Sequence, residues 1–289
     1  MKSFLALFLI FGIFACKENN DTEAVEPSGL EGQSKEYQLV WADEFETLGK
    51  PDTAKWAYEI GFIRNNEEQY YTDSLKNARV EDGFLILEAH KETIENKSFV
   101  SANENKFKKN RPQGDYTSAS ITTKDLAEWQ YGKIEVRAKL AGGTGTWPAI
   151  WMLGENLEEV GWPDCGEIDI MEHVGFNKDS IFGTAHTKAF NHNIGTEVGK
   201  SIFIDSPYED FHVYAVEWTP EKIDFILDGA VYHTFENRKQ TSAEWPFDQP
   251  FHLKLNLAIG GAWGGQQGID DSIFPQRMTI DYARVYQSK

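Results

Sequence analysis

Three acidic residues, Glu167, Asp169 and Glu172, interrupt an otherwise apolar stretch of the chain. Side chains alternate between the two faces of a β-strand, so Glu167 and Asp169 share one face. Glu172 comes one residue too late for this alternation, and a β-bulge of one extra residue would return it to the same face. Two carboxylates on one face can cleave a glycosidic bond, one as nucleophile and the other as general acid and base.

The acids need a strand to hold them, and the chain is rich in segments that predict strands. Apolar and polar residues alternate with period two in residues 84–89, 133–140, 211–218, 222–227, 251–258 and 277–286. Asp228 and Gly229, between two of these segments, predict a hairpin turn. No long window shows helical periodicity. We therefore predict an all-β fold, a two-sheet antiparallel β-sandwich.

Composition narrows the class of protein. The chain has 289 residues and a net charge of −18, which argues against nucleic acid as a partner. The two cysteines, Cys16 and Cys165, are too few for a disulfide framework, so we expect stability to come from an apolar core. We expect the part after the N-terminal segment to form one domain, and the protein to be a monomer.

The N-terminus predicts export. Lys2 precedes a short apolar run, Phe4–Ala15, which is too short to cross a membrane and is typical of an export signal. The run ends at Ile13-Phe-Ala-Cys16, which resembles a bacterial lipoprotein cleavage box, so we expect Cys16 to be lipidated and membrane contact to occur only through this anchor. The expected location is the outer membrane or cell surface, with the periplasm or secretion as alternatives. The predicted segments are a signal peptide at 1–16, a disordered tether at 17–36 and a catalytic sandwich at 37–289.

The acidic motif belongs to a wider resemblance. Glu167-Ile-Asp-Ile-Met-Glu172, following Trp147-Pro-Ala-Ile-Trp-Met-Leu153, resembles glycoside hydrolase family 16 in its bacterial laminarinase (endo-1,3-β-glucanase) branch. The resemblance runs from about Tyr37 to Gln287. It includes the segments Asn65–Thr72, Ala78–Gly83, Tyr131–Arg137, Glu217–Pro220, Ile259–Gly265 and Met278–Tyr286. It implies a concanavalin-like jelly roll with a concave substrate groove, and endo-hydrolysis of 1,3-β-glucan such as laminarin without a cofactor.

The resemblance also implies the roles of the acids. Glu167 would be the nucleophile, Glu172 the acid and base, and Asp169 the residue that orients the nucleophile. Carboxylates on one face of a strand, two or so positions apart, fit the roughly 5–5.5 Å separation of retaining enzymes, so we predict retention through a glycosyl-enzyme. The neighbouring negative charges should raise the pKa of Glu172 and keep it protonated.

Aromatic and polar residues are predicted to line the groove. Trp147 and Trp151 are four apart and share a face of an extended segment, and glycines around Trp263 let its loop project the ring. The resemblance implies that these three tryptophans bind sugar. It adds polar sugar contacts at Asn66, Glu67, Arg79 and His186. Core packing is the preferred interpretation of Trp41, Trp56, Trp218 and His173.

The resemblance further implies one structural calcium ion away from the acids. Asp281 would bind it through its carboxylate, and Glu44 and Gly83 through backbone oxygens, which suits a cation that prefers oxygen ligands.

Two alternatives to a laminarinase stay open. The spacing E-x-D-x-x-E also occurs in agarases and carrageenases, whereas the shorter spacing E-x-D-x-E is typical of mixed-linkage glucanases. Another family 16 activity therefore stays open, namely mixed-linkage 1,3-1,4-β-glucanase, agarase, carrageenase or a transglycosylase. A non-catalytic surface glycan-binding protein is the other alternative, although the presence of all three acids argues against it. The resemblance is less clear in the polar insertion Glu95–Gln113 and in the stretch Asn191–Ser206, and either segment could reshape the groove.

Overall fold

Most of the described chain is β-strand. The structure is a computed structural model that describes residues 36–205 and 207–289. The predicted signal peptide, the lipidation site Cys16 and the tether as far as Lys35 lie outside the described residues. The unit that contains the predicted sandwich runs from Glu36 to Lys289.

Seventeen strands and a few single-turn helices make up this unit. In chain order the strands are β1 (Tyr37–Asp43), β2 (Ala57–Tyr58), β3 (Gln69–Tyr71), β4 (Ala78–Glu81), β5 (Phe84–Glu95), β6 (Gln113–Ser118), β7 (Ser120–Thr122), β8 (Gly132–Lys139), β9 (Thr146–Gly154), β10 (Glu167–Glu172), β11 (Ser180–His186), β12 (Val198–Phe203), β13 (His212–Trp218), β14 (Lys222–Leu227), β15 (Ala230–Glu236), β16 (Phe251–Ile259) and β17 (Gln276–Ser288). The helices are α1 (Phe107–Asn110), α2 (Leu157–Val160) and α3 (Gly261–Gly264), with 3₁₀ turns at His192–Ile194 and Asp271–Ile273. Among the described residues, none of these helices is long and apolar enough to cross a membrane.

The strands form two sheets. The ten-stranded sheet has the order β15-β14-β13-β8-β17-β5-β6-β3, with β1 added beside β17 and β4 beside β5. The seven-stranded sheet has the order β12-β11-β10-β9-β16-β7-β2. Neighbouring strands are antiparallel except β3 and β6, which run parallel. The prediction of a two-sheet, mainly antiparallel β-sandwich is confirmed, and each of the six segments predicted from alternation lies in a strand to within one residue at each end.

The core is formed by the apolar faces of both sheets. Ile134 and Val136 of β8 and Ile168 and Ile170 of β10 belong to one buried cluster. Full burial of an aliphatic side chain contributes roughly 1.5–3 kcal/mol, so this cluster fixes which face of each strand points inward. Because side chains alternate, the polar neighbours of these residues on β10 point to the opposite face.

The predicted hairpin is also present. Leu227 of β14 pairs with Ala230 of β15, and the two residues between them have positive φ angles, 48° at Asp228 and 82° at Gly229. Two successive positive φ angles characterise the tight turn that matches the twist of paired strands, and Asp-Gly tolerates this conformation well.

Candidate active site

A β-bulge brings the three acids to one face of β10. Asp169 lies opposite Trp151 of β9, but Met171 lies opposite Ile150, so the register shifts by one residue between them. Ile170 and Met171 are both buried in the core, and Glu172 then lies opposite Ala149. The alternation is restored by this extra residue, as the sequence predicts.

Two cavities adjoin the acids, and both are lined by Glu167 and Glu172. The Trp151 cavity, of about 370 Å³, also contains Trp151, Trp147 and Asp169 in its lining. The Trp263 cavity, of about 640 Å³, also contains Trp263, Trp147 and His186. The two cavities meet at the acids, because their linings share Asn65, Trp147, Glu167, Glu172 and His192.

The tryptophans predicted to bind sugar all lie at these cavities. Trp147 and Trp151 are on the same face of β9, and the indole N–H of Trp147 donates to Glu172 Oε1 at 3.0 Å. The indole N–H of Trp151 donates to Asn256 Oδ1 at 2.7 Å. The Trp263 ring packs edge-on to Trp147 with centroids 5.6 Å apart. The φ angles of 68° at Gly260 and 77° at Gly261 let the chain turn to present Trp263.

Burial is the first cause of the raised pKa of each acid. The pKa of Glu172 rises to about 8, because burial and the charge of Glu167 outweigh the hydrogen bond from Trp147. The pKa of Glu167 rises to about 7, because burial is opposed by Arg64, Lys254 and a hydrogen bond from Trp162. The cations near Glu167 favour its ionised form, and the charge of Glu167 favours the protonated form of Glu172, which is the direction needed for a nucleophile and an acid.

Asp169 is buried and lies between Glu167 and Glu172 on β10. It is 3% exposed, and burial and the charges of Glu167 and Glu172 raise its pKa well above the usual range. A protonated Asp169 donates a hydrogen bond to the Glu167 carboxylate, which favours the ionised form of Glu167. This contact fits the predicted orienting role of Asp169.

His186 of β11 faces the acids. Its Nε2 lies 3.3 Å from Asp169 Oδ2 and 4.0 Å from Glu167 Oε1. Burial and then the neighbouring His192 lower the pKa of His186 to about 4, so the ring is neutral at neutral pH. Atoms of Glu167, Asp169 and His186 lie within 4.8 Å of one another, a spacing that a metal ion could also use. We assign this geometry to a neutral imidazole against two carboxyl groups, and we do not assign these residues as metal ligands.

The Asn-rich loop before β3 supplies part of the Trp151 cavity. Glu67 lines this cavity as predicted; it is 2% exposed and accepts a 2.7 Å hydrogen bond from Gln69 Nε2. The neighbouring residue that lines both cavities is Asn65. Asn66 is exposed and is not among the lining residues. Both asparagines have positive φ angles, 54° and 53°, which turn Asn65 toward the groove instead of Asn66.

The structure does not bring Arg79 to the groove. Arg79 lies on β4 in the ten-stranded sheet, between the buried residues Ala78 and Val80, so it faces away from the core. Its guanidinium donates to Glu88 Oε2 at 2.9 Å and also pairs with Glu81. The predicted placement of Arg79 at the groove is therefore wrong, because pairing with β5 places it in the other sheet.

Several residues that line the groove were not predicted from the sequence. Trp162 lines the Trp151 cavity, and its ring lies 4.9 Å from that of His192. His192, in the 3₁₀ turn of the stretch Asn191–Ser206, lines both cavities. Arg64 lines the Trp151 cavity, and its Cζ lies 5.1 Å from the Trp151 ring centroid. All three lie outside the strands, in loops or a 3₁₀ turn, so the period-two alternation that predicts the strands does not mark them.

The polar insertion Glu95–Gln113 contacts the Asn-rich loop. Arg111 donates to Glu68 Oε2 at 2.8 Å and to the Glu67 backbone carbonyl at 3.3 Å. The insertion therefore contacts the loop that carries the groove residues Asn65 and Glu67.

The residues predicted to bind calcium lie at one place on the ten-stranded sheet. β17 pairs with β5 up to Ile280, opposite Leu85, and with β1 from Ala283, opposite Asp43. Asp281 therefore lies between the start of β5 and the end of β1. Gly83 directly precedes β5, and Glu44 directly follows β1. The Asp281 carboxylate, the predicted side-chain ligand, pairs with Arg137, and the Glu44 carboxylate pairs with Arg284 at 2.8 Å.

His173 has the structural role predicted for it. It is fully buried, its Nδ1 lies 2.8 Å from the Ser180 carbonyl oxygen, and its Nε2 lies 3.2 Å from Tyr208 Oη. Trp56 and Trp218 are core residues and Trp41 packs against the core, also as predicted. Cys165 is a buried free thiol.

A β-sandwich that places three carboxyl groups among tryptophans at two adjoining cavities is suited to a glycoside hydrolase. The comparisons with known proteins agree. The family model described as glycosyl hydrolases family 16 matches residues 65–284. A beta-glucanase of Rhodothermus marinus is 49% identical over 261 residues, which cover 87% of this chain and 85% of that protein.

Solved structures give the same answer. The laminarinase from Rhodothermus marinus is similar with a TM-score of 0.80 at 48% identity, covering 88% of this chain and 99% of that chain. A mutant of a non-specific endo-β-1,3(4)-glucanase from family GH16, co-crystallised with 1,3-β-D-cellotriosyl-glucose, has a TM-score of 0.78 at 45% identity, covering 87% and 95%. The chain belongs to glycosyl hydrolases family 16.

Proposed function

We propose that the protein hydrolyses internal 1,3-linkages of β-glucan, with laminarin as the model substrate, and retains the anomeric configuration. The observation that carries the proposal is the bulged strand β10, which presents Glu167, Asp169 and Glu172 on the face that carries Trp147 and Trp151. The similarity to a laminarinase and to an endo-β-1,3(4)-glucanase supports the choice of glucan.

The reaction follows from the protonation states. Ionised Glu167 attacks the anomeric carbon while Glu172 protonates the leaving glycosidic oxygen, so one C–O bond forms as another breaks. The glycosyl-enzyme removes the negative charge of Glu167, which lowers the pKa of Glu172. Glu172 then takes a proton from water, the water oxygen attacks the anomeric carbon, and Glu167 leaves as a carboxylate. Stacking of sugar faces on the tryptophan rings holds the chain in place.

Product analysis on laminarin, lichenan, curdlan, agarose and κ-carrageenan tests the proposal. Release of short 1,3-linked oligosaccharides from laminarin, with the β-anomer formed first in NMR, is expected. Glu167→Gln should abolish release while oligosaccharide binding persists. Release from a galactan alone would overturn the choice of glucan, and binding without release by the wild type would overturn the catalytic assignment.

Mixed-linkage glucan is the second candidate substrate. The observation in its favour is the similarity to the non-specific endo-β-1,3(4)-glucanase, whose structure contains a 1,3-β-D-cellobiosyl-glucose at the active site. Comparison of kcat/KM on lichenan and laminarin decides between a 1,3-specific and a 1,3(4)-enzyme.

We also propose a structural calcium ion at Asp281, with backbone oxygens from Glu44 and Gly83. The support is the register of β1, β5 and β17, which brings the three residues to one place. Oxygen ligands suit calcium, and no catalytic step involves the ion. The melting temperature is expected to fall on chelation and to recover with added calcium, and an unchanged melting temperature would contradict this site.

The location and assembly state are proposed from the sequence. Residues 1–16 would direct export as a lipoprotein signal, with lipidation at Cys16 and attachment of the mature monomer to the outer membrane or cell surface. Metabolic labelling with a palmitate analogue should label the wild type and not Cys16→Ser. Light scattering of residues 17–289 should give the monomer mass.

A further inference from the structure

One buried side chain joins the two sheets behind the groove. Gln69 lies on β3 of the ten-stranded sheet and is fully buried. Its Oε1 accepts a 2.7 Å hydrogen bond from the backbone N–H of Ile259, the last residue of β16 in the seven-stranded sheet. Its Nε2 donates to Glu67 Oε2 at 2.7 Å. A backbone N–H can only donate, so its partner must be the amide oxygen, and the orientation of the Gln69 amide is thereby fixed.

Ile259 leads directly into the Trp263 loop, which we define as Gly260–Gly265. β16 pairs with β7 only as far as Asn256. At Ile259 the Asn-rich loop and the start of β3 take over: Gln69 Oε1 accepts from the N–H, and the N–H of Glu68 donates to the carbonyl at 2.8 Å. Gln69 therefore satisfies a buried backbone donor that β7 does not reach, at the point where the Trp263 loop begins.

The Asn-rich loop and the Trp263 loop are in direct contact. The N–H of Ala262 donates to the Asn65 carbonyl at 2.9 Å, and Gly260 forms a β-bridge with Glu67. At Gly261, where φ is 77°, a Cβ atom would lie 3.0 Å from the Asn65 carbonyl oxygen and 3.1 Å from Glu67 Cγ. Because the backbones approach this closely, the position of one loop determines that of the other.

Gln69 lies behind residues that line the groove. Asn65 lines both cavities, Glu67 lines the Trp151 cavity, and Trp263 lines the other. Gln69 itself lines neither of these two cavities. Its amide connects the Glu67 carboxylate in one cavity with the loop that carries Trp263 in the other. The place of the Trp263 ring against Trp147 therefore depends on a hydrogen bond that the substrate does not contact.

We infer that Gln69 is a positioning residue for substrate binding, which fixes the Trp263 loop against the Asn-rich loop and so keeps Trp263 in place beside the acids. The inference rests on the proposed function and deepens it, because the ligand is the same glucan. A buried amide is suited to this role because it serves one donor and one acceptor at once. An apolar side chain in its place would leave both partners unpaired.

Turnover of laminarin by Gln69→Met tests the inference. Methionine has a similar length but cannot replace the two hydrogen bonds, so the Trp263 loop should lose its fixed position. The KM should rise roughly three- to tenfold, the range expected when one aromatic contact is weakened, while kcat changes less. A purely structural role would instead reduce the fraction of folded enzyme, which lowers the apparent kcat and leaves KM unchanged. An unchanged KM would overturn the inference.

A double-mutant cycle shows whether Gln69 acts through Trp263. In the Trp263→Ala background, Gln69→Met should change KM by less than about twofold, because the ring that Gln69 positions is already absent. The same factor in both backgrounds would count against the inference.

Ser118→Ala is the matched control. Ser118 of β6 is fully buried, and its hydroxyl donates to the Leu257 carbonyl of β16 at 2.6 Å. This variant also removes a buried link between the two sheets, but one that does not hold Ile259. It should lower the melting temperature and leave KM unchanged. An equal rise of KM in Ser118→Ala and Gln69→Met would show a general effect of destabilisation and overturn the inference.

A measurement without substrate keeps the test independent of the proposed function. ¹⁹F NMR of protein labelled with 5-fluorotryptophan observes Trp263 directly, and its signal is the one missing in Trp263→Phe. The signal should shift or broaden in Gln69→Met and stay in place in Ser118→Ala. This result would support the positioning role even if no glucan were cleaved. An unmoved signal in an enzyme that cleaves laminarin would reject the role and leave the proposed function intact. Gln69→Asn, whose amide is one carbon too short to reach both partners, replaces Gln69→Met if the latter does not fold.

Discussion

The ionised carboxylate of Glu167 is expected to destabilise the folded protein at alkaline pH. Comparison with Glu167→Gln should show how much free energy of unfolding is lost. Burial is the main cause that raises the pKa of this group from 4.5 to about 7. The folded state therefore binds more protons than the unfolded state between these two values, so the free energy of unfolding falls as the pH rises through this window. At about 1.36 kcal/mol per pKa unit, the full loss amounts to about 3 kcal/mol.

Glu167→Gln has no carboxyl group to ionise and should escape this loss. Relative to the wild type, the free energy of unfolding of the variant should therefore rise by roughly 2–3 kcal/mol between about pH 5 and about pH 8. Urea unfolding followed by tryptophan fluorescence at a series of pH values measures this difference. Glu209→Gln, at an exposed carboxylate, serves as the control and should show no such increase. A difference that stays constant or falls with pH would refute the reasoning.

Three further predictions concern the acids in turnover. The value of kcat/KM should rise as the pH passes about 7, where Glu167 ionises, and fall past about 8, where Glu172 loses its proton; a profile without these limbs would contradict the assignment. Trp147→Phe removes the N–H that stabilises ionised Glu172 at 3.0 Å, so the basic limb should move to higher pH, and an unmoved limb would show that this hydrogen bond has no effect. Glu172→Ala should lose less activity on a substrate with a very good leaving group than on laminarin, and equal losses would argue against its role as acid.

The sequence is most informative where the pattern is local. Alternation along β10 predicts that Glu167 and Asp169 share a face, and the late arrival of Glu172 predicts the bulge, because both depend only on successive residues of one strand. The common face of Trp147 and Trp151 follows in the same way. The strands themselves were predicted by period-two alternation, which reflects burial of one face against the core.

Where placement depends on partners distant in sequence, local patterns fail. Arg79 lies in the other sheet because its strand pairs with β5, and Asn65 replaces Asn66 at the groove because two left-handed residues turn the loop. Glu59 pairs with both Arg64 and Lys254 beside the Trp151 ring, and Lys254 reaches this ring because β16 pairs with β9. From the sequence alone, a charged residue in such a buried cluster cannot be distinguished from an exposed surface residue.

The bulge at Met171 also bears on how such sites can change by insertion and deletion. In a regular strand, acids at positions one, three and five share a face, and with one bulged residue the same holds for positions one, three and six. Deletion of a single residue between Asp169 and Glu172 would therefore leave all three acids on the groove face, with the last one moved closer to the first. Related proteins can therefore gain or lose this one residue, and the spacing of the acids changes. No sequence with an acid facing the core is needed between the two forms.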